Sequence, residues 1–338
     1  MPIKNENFFS RVFSHFQLTW RLVLDKRISV WLKIFLFFIP LTYMLIPFPG
    51  DFAPFIGMLD DVVFLIICTI LFNAACPTSI KNEHKHLVNQ IITVDNLKID
   101  NLRFPTEIRD LIIGFLILII LLLVGGYLAG FAGLLLFGLG YLMSNIQRGN
   151  IMSNAVQVSD RQLPNLNRCL QNALGNLRIM DVKLFVTQNP TMNAFTFGYD
   201  EPYSIVLTSA LVEKLNDKEI QAVIGHELGH VIFEHARLIS MMSGMAGLNK
   251  LIFFQWSRSC EYSADSIAFL ASGRDLQSVT SSLLKLSSGI TNMNIDLQAF
   301  LEQVDQESQK SRSFAELGST HPFIINRIRR LKIIAEEL

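Results

Sequence analysis

The longest uncharged stretch of the chain is the feature that most limits its fold. The 33 residues of 111–143 include no Asp, Glu, Lys or Arg. As one helix this stretch would be roughly 50 Å long, against roughly 30 Å for the hydrocarbon core of a bilayer. Buried helices of soluble proteins rarely carry such a run, so we expect one or more transmembrane segments here. Gly125 and Gly126 lie near its middle, which leaves open either one tilted span or a hairpin of two short spans.

A second apolar region, 28–73, is interrupted by the turn-forming residues 47–51, Pro-Phe-Pro-Gly-Asp. This pattern predicts a hydrophobic helical hairpin that is inserted in the membrane or lies against it. The flanking segments, an amphipathic amino terminus (1–27) and a polar linker (74–110), each carry five Lys and Arg residues. By the positive-inside rule, both segments are expected on the cytoplasmic side.

Residues 226–230 read His-Glu-Leu-Gly-His, within a segment that has the signals of a helix. Asn216 is a suitable N-cap, and Ile220, Val223 and Ile224 follow at helical spacing. Residues four apart share one face of a helix, so two imidazoles can reach the same zinc ion. This layout is typical of zinc hydrolases that cleave peptides.

Glu227 lies about 100° round the helix from His226 and can take a proton from water at the metal without being a ligand. A catalytic zinc ion usually has a third protein ligand. Glu261 and Asp265 share one face of a second predicted helix, 255–272. We expect Glu261 to be that ligand, and Asp265 to accept a hydrogen bond from the other nitrogen of a ligand histidine.

Two alternatives remain open at this point. Glu234 lies one turn beyond His230 and offers another carboxylate, although its position favours the surface. The two carboxylates of the second helix also fit a surface ion-pair cluster with Arg258. His235 is about 140° away from the ligand face, so it is not expected to bind the metal.

Three separated blocks resemble the HtpX-type membrane-associated zinc metalloproteases, which are relatives of the CAAX prenyl proteases. The blocks are VIGHELGHVIFEH (223–235), WSRSCEYSAD (256–265) and THPFIINRIRRL (320–331). The resemblance implies a zinc metalloprotease domain over residues 150–338. Residues 50–61 separately resemble a small bacterial hairpin domain of unknown function with the pattern PDxxPxxGxLDD, from which no function transfers.

The resemblance implies that His226, His230 and Glu261 bind zinc and that Glu227 is the catalytic base. Asp265 matches the aspartate that follows the third ligand in the family.

The late block of the family, HPxxxxR, lies near the site in relatives and matches His321 and Arg327. Either side chain is a candidate donor to the oxyanion of the reaction. For His321, helix N-terminal packing before Pro322 is an equal alternative. For Arg327, the alternative is an ion pair with Asp265.

Asn193, Ala194 and Phe195 resemble the family's edge strand, which lines the substrate cleft. Strands are predicted at 182–187, 194–197 and 205–208, after a helix at 160–177. An exposed edge strand can hold an extended peptide by its backbone, whereas a plain hairpin would only cover the core. The expected fold class is α+β and mostly helical, a zincin-type domain with a small sheet, preceded by hydrophobic membrane helices.

These features predict a membrane-anchored, zinc-dependent metalloendopeptidase with one Zn²⁺ per chain. It would act on protein or peptide substrates at the lipid bilayer, in proteolysis or quality control of membrane-associated proteins. The alternative is a catalytically inactive membrane adaptor or peptide-binding protein with a structural zinc ion. The expected location is a bacterial inner membrane, with the protease domain cytoplasmic if 111–143 is a hairpin and external if it is one span. The net charge of zero gives no basic excess, so we expect no nucleic-acid partner.

Overall fold

A computed structural model describes the chain in two separate units, Met1–Ile91 and Ile92–Leu338. The residues that it describes are 15, 18–23, 25–36, 67–81, 93–94, 97–114, 117, 143, 146, 149–151, 153–177, 182–197, 203–235, 250–290, 299–300, 302, 319 and 321–338.

The first unit contains helical residues at 18–23, 30–36 and 67–75. Their apolar core consists of Leu22, Ile28, Leu36, Cys68, Phe72 and Cys76. Within the described residues of the whole chain, no helix is both long and apolar enough to cross a bilayer. Most of the predicted transmembrane stretch 111–143, and the middle of the predicted hairpin 28–73, lie outside the described residues.

The second unit holds all the strands that the structure describes. They are β1 (Thr93–Val94), β2 (Leu97–Lys98), β3 (Val156–Gln157), β4 (Val182–Thr187), β5 (Ala194–Phe197) and β6 (Tyr203–Thr208). β1 and β2 form an antiparallel pair of their own. The other four form one sheet in the order β3-β4-β6-β5, in which β4 and β6 run parallel and the other pairs antiparallel. β5 lies between β4 and β6 in the chain but pairs with β6 at the end of this order, so it is an edge strand of the sheet.

Among the described residues of this unit, six α-helices have defined bounds. They are α1 (Pro164–Leu177), α2 (Ser209–Lys214), α3 (Asp217–Ile232), α4 (Lys250–Ala271), α5 (Leu276–Ser288) and α6 (Ile324–Glu337). The prediction of a mostly helical α+β fold with a small sheet is confirmed. The predicted strands agree with β4, β5 and β6, except that β6 begins two residues earlier, at Tyr203. The second predicted helix is longer than expected, because α4 begins at Lys250 rather than at residue 255.

The core of the second unit joins the sheet to α1, α3 and α4. All six residues of β6 are buried, as expected for a strand with a neighbour on both sides. Core residues from the successive elements include Leu174, Leu184, Ile205, Ile224 and Ile267. A smaller cluster, which includes Val279 and Leu331, packs α5 and α6 against the same helices.

A capping box begins α3. The Asn216 side chain accepts from the backbone N–H of Glu219, and the Glu219 carboxylate accepts from the backbone N–H of Asn216. Glu219 is buried and also bonds to Ser281 at 2.6 Å and to Lys285 at 2.7 Å. Burial opposes ionisation of Glu219, but these partners lower its pKa below the ordinary value. The cap therefore stabilises the start of α3 and ties it to α5.

Two glycines let α3 approach α4 unusually closely. A Cβ atom on Gly229 would lie 2.6 Å from the Cα atom of Ala264, and one on Gly225 would lie 2.4 Å from the Cβ atom of Ala271. Neither contact is tolerated without moving a backbone. The small residues of both helices therefore set the distance between them.

Substitution Gly229→Ala is expected to push α3 away from α4 and to lower the free energy of unfolding by about 1–3 kcal/mol. The matched control is Gly175→Ala in α1, where an added Cβ meets nothing within 4 Å. Because alanine is the better helix former, the control is expected to raise stability by up to about 1 kcal/mol. Denaturant unfolding of both variants in detergent measures the difference. Equal effects would contradict the close-packing account.

Candidate metal centre

Three side chains from two helices meet at one point. His226 and His230 project from α3, and Glu261 projects from α4. The two Nε2 atoms lie 3.2 Å apart. The Glu261 carboxylate oxygens lie 3.5 Å from Nε2 of His226 and 3.6 Å from Nε2 of His230. The structure thus brings together the three residues that the sequence predicts as ligands.

The other nitrogen of His226 is held by a buried ion pair. Its Nδ1 lies 3.0 Å from an oxygen of Asp265, and both oxygens of Asp265 accept from Arg327, at 2.6 and 2.8 Å. Arg327 also lies 3.3 Å from Glu261. Burial disfavours the ionised form of both carboxyls, but chiefly the Arg327 guanidinium holds their pKa values below the ordinary range.

Asp265 and Glu261 favour the protonated, positively charged form of the His226 imidazole. Burial disfavours a charged imidazole, but hydrogen bonds to Asp265 and Glu261 outweigh it and raise the pKa of His226 to about 10. The pocket thus strongly favours a positive charge at this point.

His230 has a different partner on its far side. Its Nδ1 lies 3.0 Å from Nδ1 of His235, and Nε2 of His235 lies 3.0 Å from Glu107. Burial lowers the pKa of His235 to about 4. The Glu107 carboxylate also accepts from Ser263 and pairs with Arg103. Burial opposes its ionisation, but His235 and Arg103 lower the pKa of Glu107 to about 2.

Glu227 is not part of the three-residue group and turns toward the sheet. The hydroxyl of Thr196, on the edge strand β5, donates to its carboxylate at 2.7 Å and lies 3.2 Å from its backbone carbonyl oxygen. The side chain that the sequence predicts as base therefore contacts the edge strand, while in the chain it directly follows His226.

The remaining predicted residues lie around this group. The exposed ring of His321 has its Nδ1 3.2 Å from an oxygen of Glu261. Arg327 forms the ion pair with Asp265 that the sequence left as an alternative to an oxyanion role. Ala194 and Phe195 belong to β5, and Asn193 precedes it and accepts the Ala194 N–H through its side-chain oxygen.

Glu234 lies past the end of α3 with a φ of 59°, in the left-handed region. It does not belong to the group around the two imidazoles in the part of the chain that the structure describes.

The donor set fits a zinc ion. Tetrahedral zinc with bonds of about 2.0–2.2 Å separates its ligand atoms by roughly 3.3 Å. The three separations found here are 3.2, 3.5 and 3.6 Å. A divalent cation bound by all three atoms would balance the charge of the carboxylate and give both nitrogens a partner in this buried site. A carboxylate behind His226 is also the partner that orients imidazole ligands of metals.

Three residues of this centre were not anticipated as site residues. Thr196 directly follows the predicted edge-strand triplet, and its polar side chain within an apolar strand is a weak signal. His235 was considered and set aside because it does not face the metal. Glu107 is 128 residues before His235, and no local pattern links the two.

Comparison with known proteins gives a consistent result. Residues 161–255 and 236–335 match the model of a family described as Peptidase family M48. A protein named Protease HtpX homolog from Helicobacter pylori is 31% identical over 211 residues, which cover 49% of this chain and 66% of that protein. Plastoglobule-localized metallopeptidase 48, chloroplastic, from Arabidopsis thaliana is 31% identical over 202 residues, covering 54% and 58%. The chain thus spans less than two thirds of either relative.

A solved structure, that of S. mikatae Ste24p, aligns with 96% of this chain and 97% of its own, at a TM-score of 0.42 and 15% identity. This likeness is too distant to carry an argument.

Substitution Arg327→Met is expected to lower the free energy of unfolding by about 3–5 kcal/mol, because it leaves Asp265 and Glu261 buried without their cation. The control is Lys332→Met on the same helix, α6, where a change of about 0.5 kcal/mol or less is expected. Both are measured by denaturant unfolding in the presence of a chelator, so that no metal compensates. A loss no larger than that of the control would contradict the role given to this ion pair.

Proposed function

Because the chain belongs to peptidase family M48, we propose that it is a zinc-dependent endopeptidase whose metal is held by His226, His230 and Glu261. Family membership confirms the prediction of an HtpX-like chain of the metalloprotease class. The observation that carries the proposal is the convergence of two imidazoles and one carboxylate at 3.2–3.6 Å. When bound there, zinc would act as a Lewis acid that makes water more acidic and a peptide carbonyl more electrophilic.

Glu227 acts as the general base and then as the general acid. Its carboxylate takes a proton from the water that attacks the scissile carbonyl and returns this proton to the leaving amine. The Thr196 hydroxyl supports this role, because it holds one carboxylate oxygen at 2.7 Å. A base fixed in this way requires less reorganisation during the reaction.

His321 is the better placed of the two candidate oxyanion donors. Its side chain is 66% exposed, whereas that of Arg327 is 8% exposed and engaged by Asp265 and Glu261. A donor must reach the substrate oxygen as negative charge develops on it. We therefore assign the donor role to His321, and to Arg327 the role of holding the two carboxylates in place.

The substrate is proposed to bind as an added strand along β5. This strand is at the edge of the sheet and contacts α3 through the bond from Thr196 to Glu227. Backbone hydrogen bonds to an edge strand hold a peptide in extended form and select little by sequence. Asn193, Ala194 and Phe195 would line the peptide at the start of this edge.

Membrane anchoring is part of the same proposal. Its support is the uncharged stretch 111–143, which directly follows Asp110. An anchored protease domain would act on chains at the membrane surface, and proteolysis or quality control of membrane-associated proteins is the role that fits.

Substitution Glu227→Gln is expected to abolish peptide hydrolysis, with a loss of 100-fold or more, because the amide cannot accept the proton. Zinc content should remain at one per chain, since Glu227 is not a ligand. His226→Ala should instead lose the metal. Casein cleavage and metal analysis of the purified full chain measure both. Cleavage by Glu227→Gln at the wild-type rate would contradict the enzyme assignment and favour an adaptor with a structural zinc ion.

Substitution Thr196→Val is expected to lower kcat about tenfold, because a hydrogen bond to a charged group contributes about 1.5–3 kcal/mol. Thr196→Ser keeps the hydroxyl and should retain most of the activity. Hydrolysis of a fluorogenic peptide distinguishes the two variants. Equal rates for valine and serine would show that the hydroxyl does not position the base.

A further inference from the structure

Glu107 is a buried carboxylate from a segment that precedes the family match. It begins the helical residues 107–114 and is 1% exposed. Its oxygens accept from His235, at 3.0 Å, and from Ser263. The guanidinium of Arg103 balances its charge. The carboxylate is therefore fixed in place, and the proposed function does not use it.

The hydrogen bonds decide where the protons of His235 and His230 lie. An ionised carboxylate only accepts, so Nε2 of His235 must carry the proton that faces Glu107. The two ring nitrogens of His235 face Glu107, which Arg103 already balances, and His230, so a positive charge on this fully buried ring would not be compensated. The ring is therefore neutral with a lone pair on Nδ1, and the proton between the two Nδ1 atoms belongs to His230. This arrangement leaves Nε2 of His230 with its lone pair directed at Nε2 of His226 and at Glu261.

We propose that Glu107 and His235 are positioning residues that hold His230 in the tautomer whose Nε2 binds the metal. This inference rests on the proposed zinc site. Each imidazole ligand then has a buried carboxylate behind it. Asp265 contacts Nδ1 of His226 directly, and Glu107 is connected to Nδ1 of His230 through the ring of His235. The ring of His235 is completely buried, so water does not compete for its nitrogens.

A second metal site is the main rival explanation. Glu107, His235 and Cys260 have potential ligand atoms within 4.8 Å of one another. However, both ring nitrogens of His235 are already hydrogen-bonded, and Glu107 already faces a guanidinium. Burial, with Glu107 nearby, also raises the pKa of the Cys260 thiol well above its ordinary value, which keeps it protonated. The cluster is thus a satisfied hydrogen-bond network.

The test compares His235→Leu with His235→Gln in the full chain in detergent. Leucine breaks the network, whereas the glutamine amide has both a donor and an acceptor. The readouts are zinc affinity, by competition with a chromophoric chelator, and the visible spectrum of the Co²⁺-substituted protein. His235→Leu is expected to bind zinc about 10–100-fold more weakly, with an altered cobalt spectrum, and His235→Gln to stay within a few-fold of wild type. Wild-type affinity in a folded His235→Leu would overturn the proposal.

Two further variants complete the test. Cys260→Ala should leave the zinc affinity and the stoichiometry of one zinc per chain unchanged, whereas two metals in wild type and one in this variant would overturn the proposal in favour of a second site.

If His235→Leu fails to fold, Glu107→Gln decides, since it keeps the side-chain volume and removes the charge. It is expected to weaken zinc binding about tenfold, and unchanged binding would overturn the proposal. A wild-type chain that binds no zinc would instead refute the proposed function itself.

Discussion

The close contact between α3 and α4 is the constraint on which the centre depends. Gly225 and Gly229 lie directly against alanines of α4, so no side chain larger than a hydrogen atom fits between the helices at either position. This contact fixes the distance between the imidazole pair on one helix and Glu261 on the other. The glycine within the His-Glu-Leu-Gly-His sequence thus has a structural role as specific as that of the histidines on either side.

Electrostatic compensation explains how so many ionisable groups are buried together. Asp265 and Glu261 share Arg327, while Glu107 pairs with Arg103 and accepts a hydrogen bond from His235. A buried charge without a partner would cost several kcal/mol, so each carboxylate is retained only with its cation. Arg327 supplies one positive charge for two carboxylates, and a divalent cation bound by Glu261 and the two Nε2 atoms would balance the other.

Sequence reasoning predicted the parts of the fold that leave local signals. The cap at Asn216, the helical spacing of the two histidines and the strand pattern of β4 and β5 all depend on neighbours within a few residues. Glu261 was found because its spacing from Asp265 repeats the geometry of a helix face. Glu107 could not be found in this way, because its contact with His235 exists only after the chain has folded. His235 was judged only as a ligand, so its role behind His230 was missed.

The position of β5 at the sheet edge bears on which chains such an enzyme could cut. Strand addition requires an incoming backbone whose amide and carbonyl groups are free, and segments inside intact helices or sheets do not offer them. Selection would then depend on conformation more than on side-chain identity. A properly folded neighbour would be spared, while the same polypeptide would become vulnerable as soon as part of it unravelled.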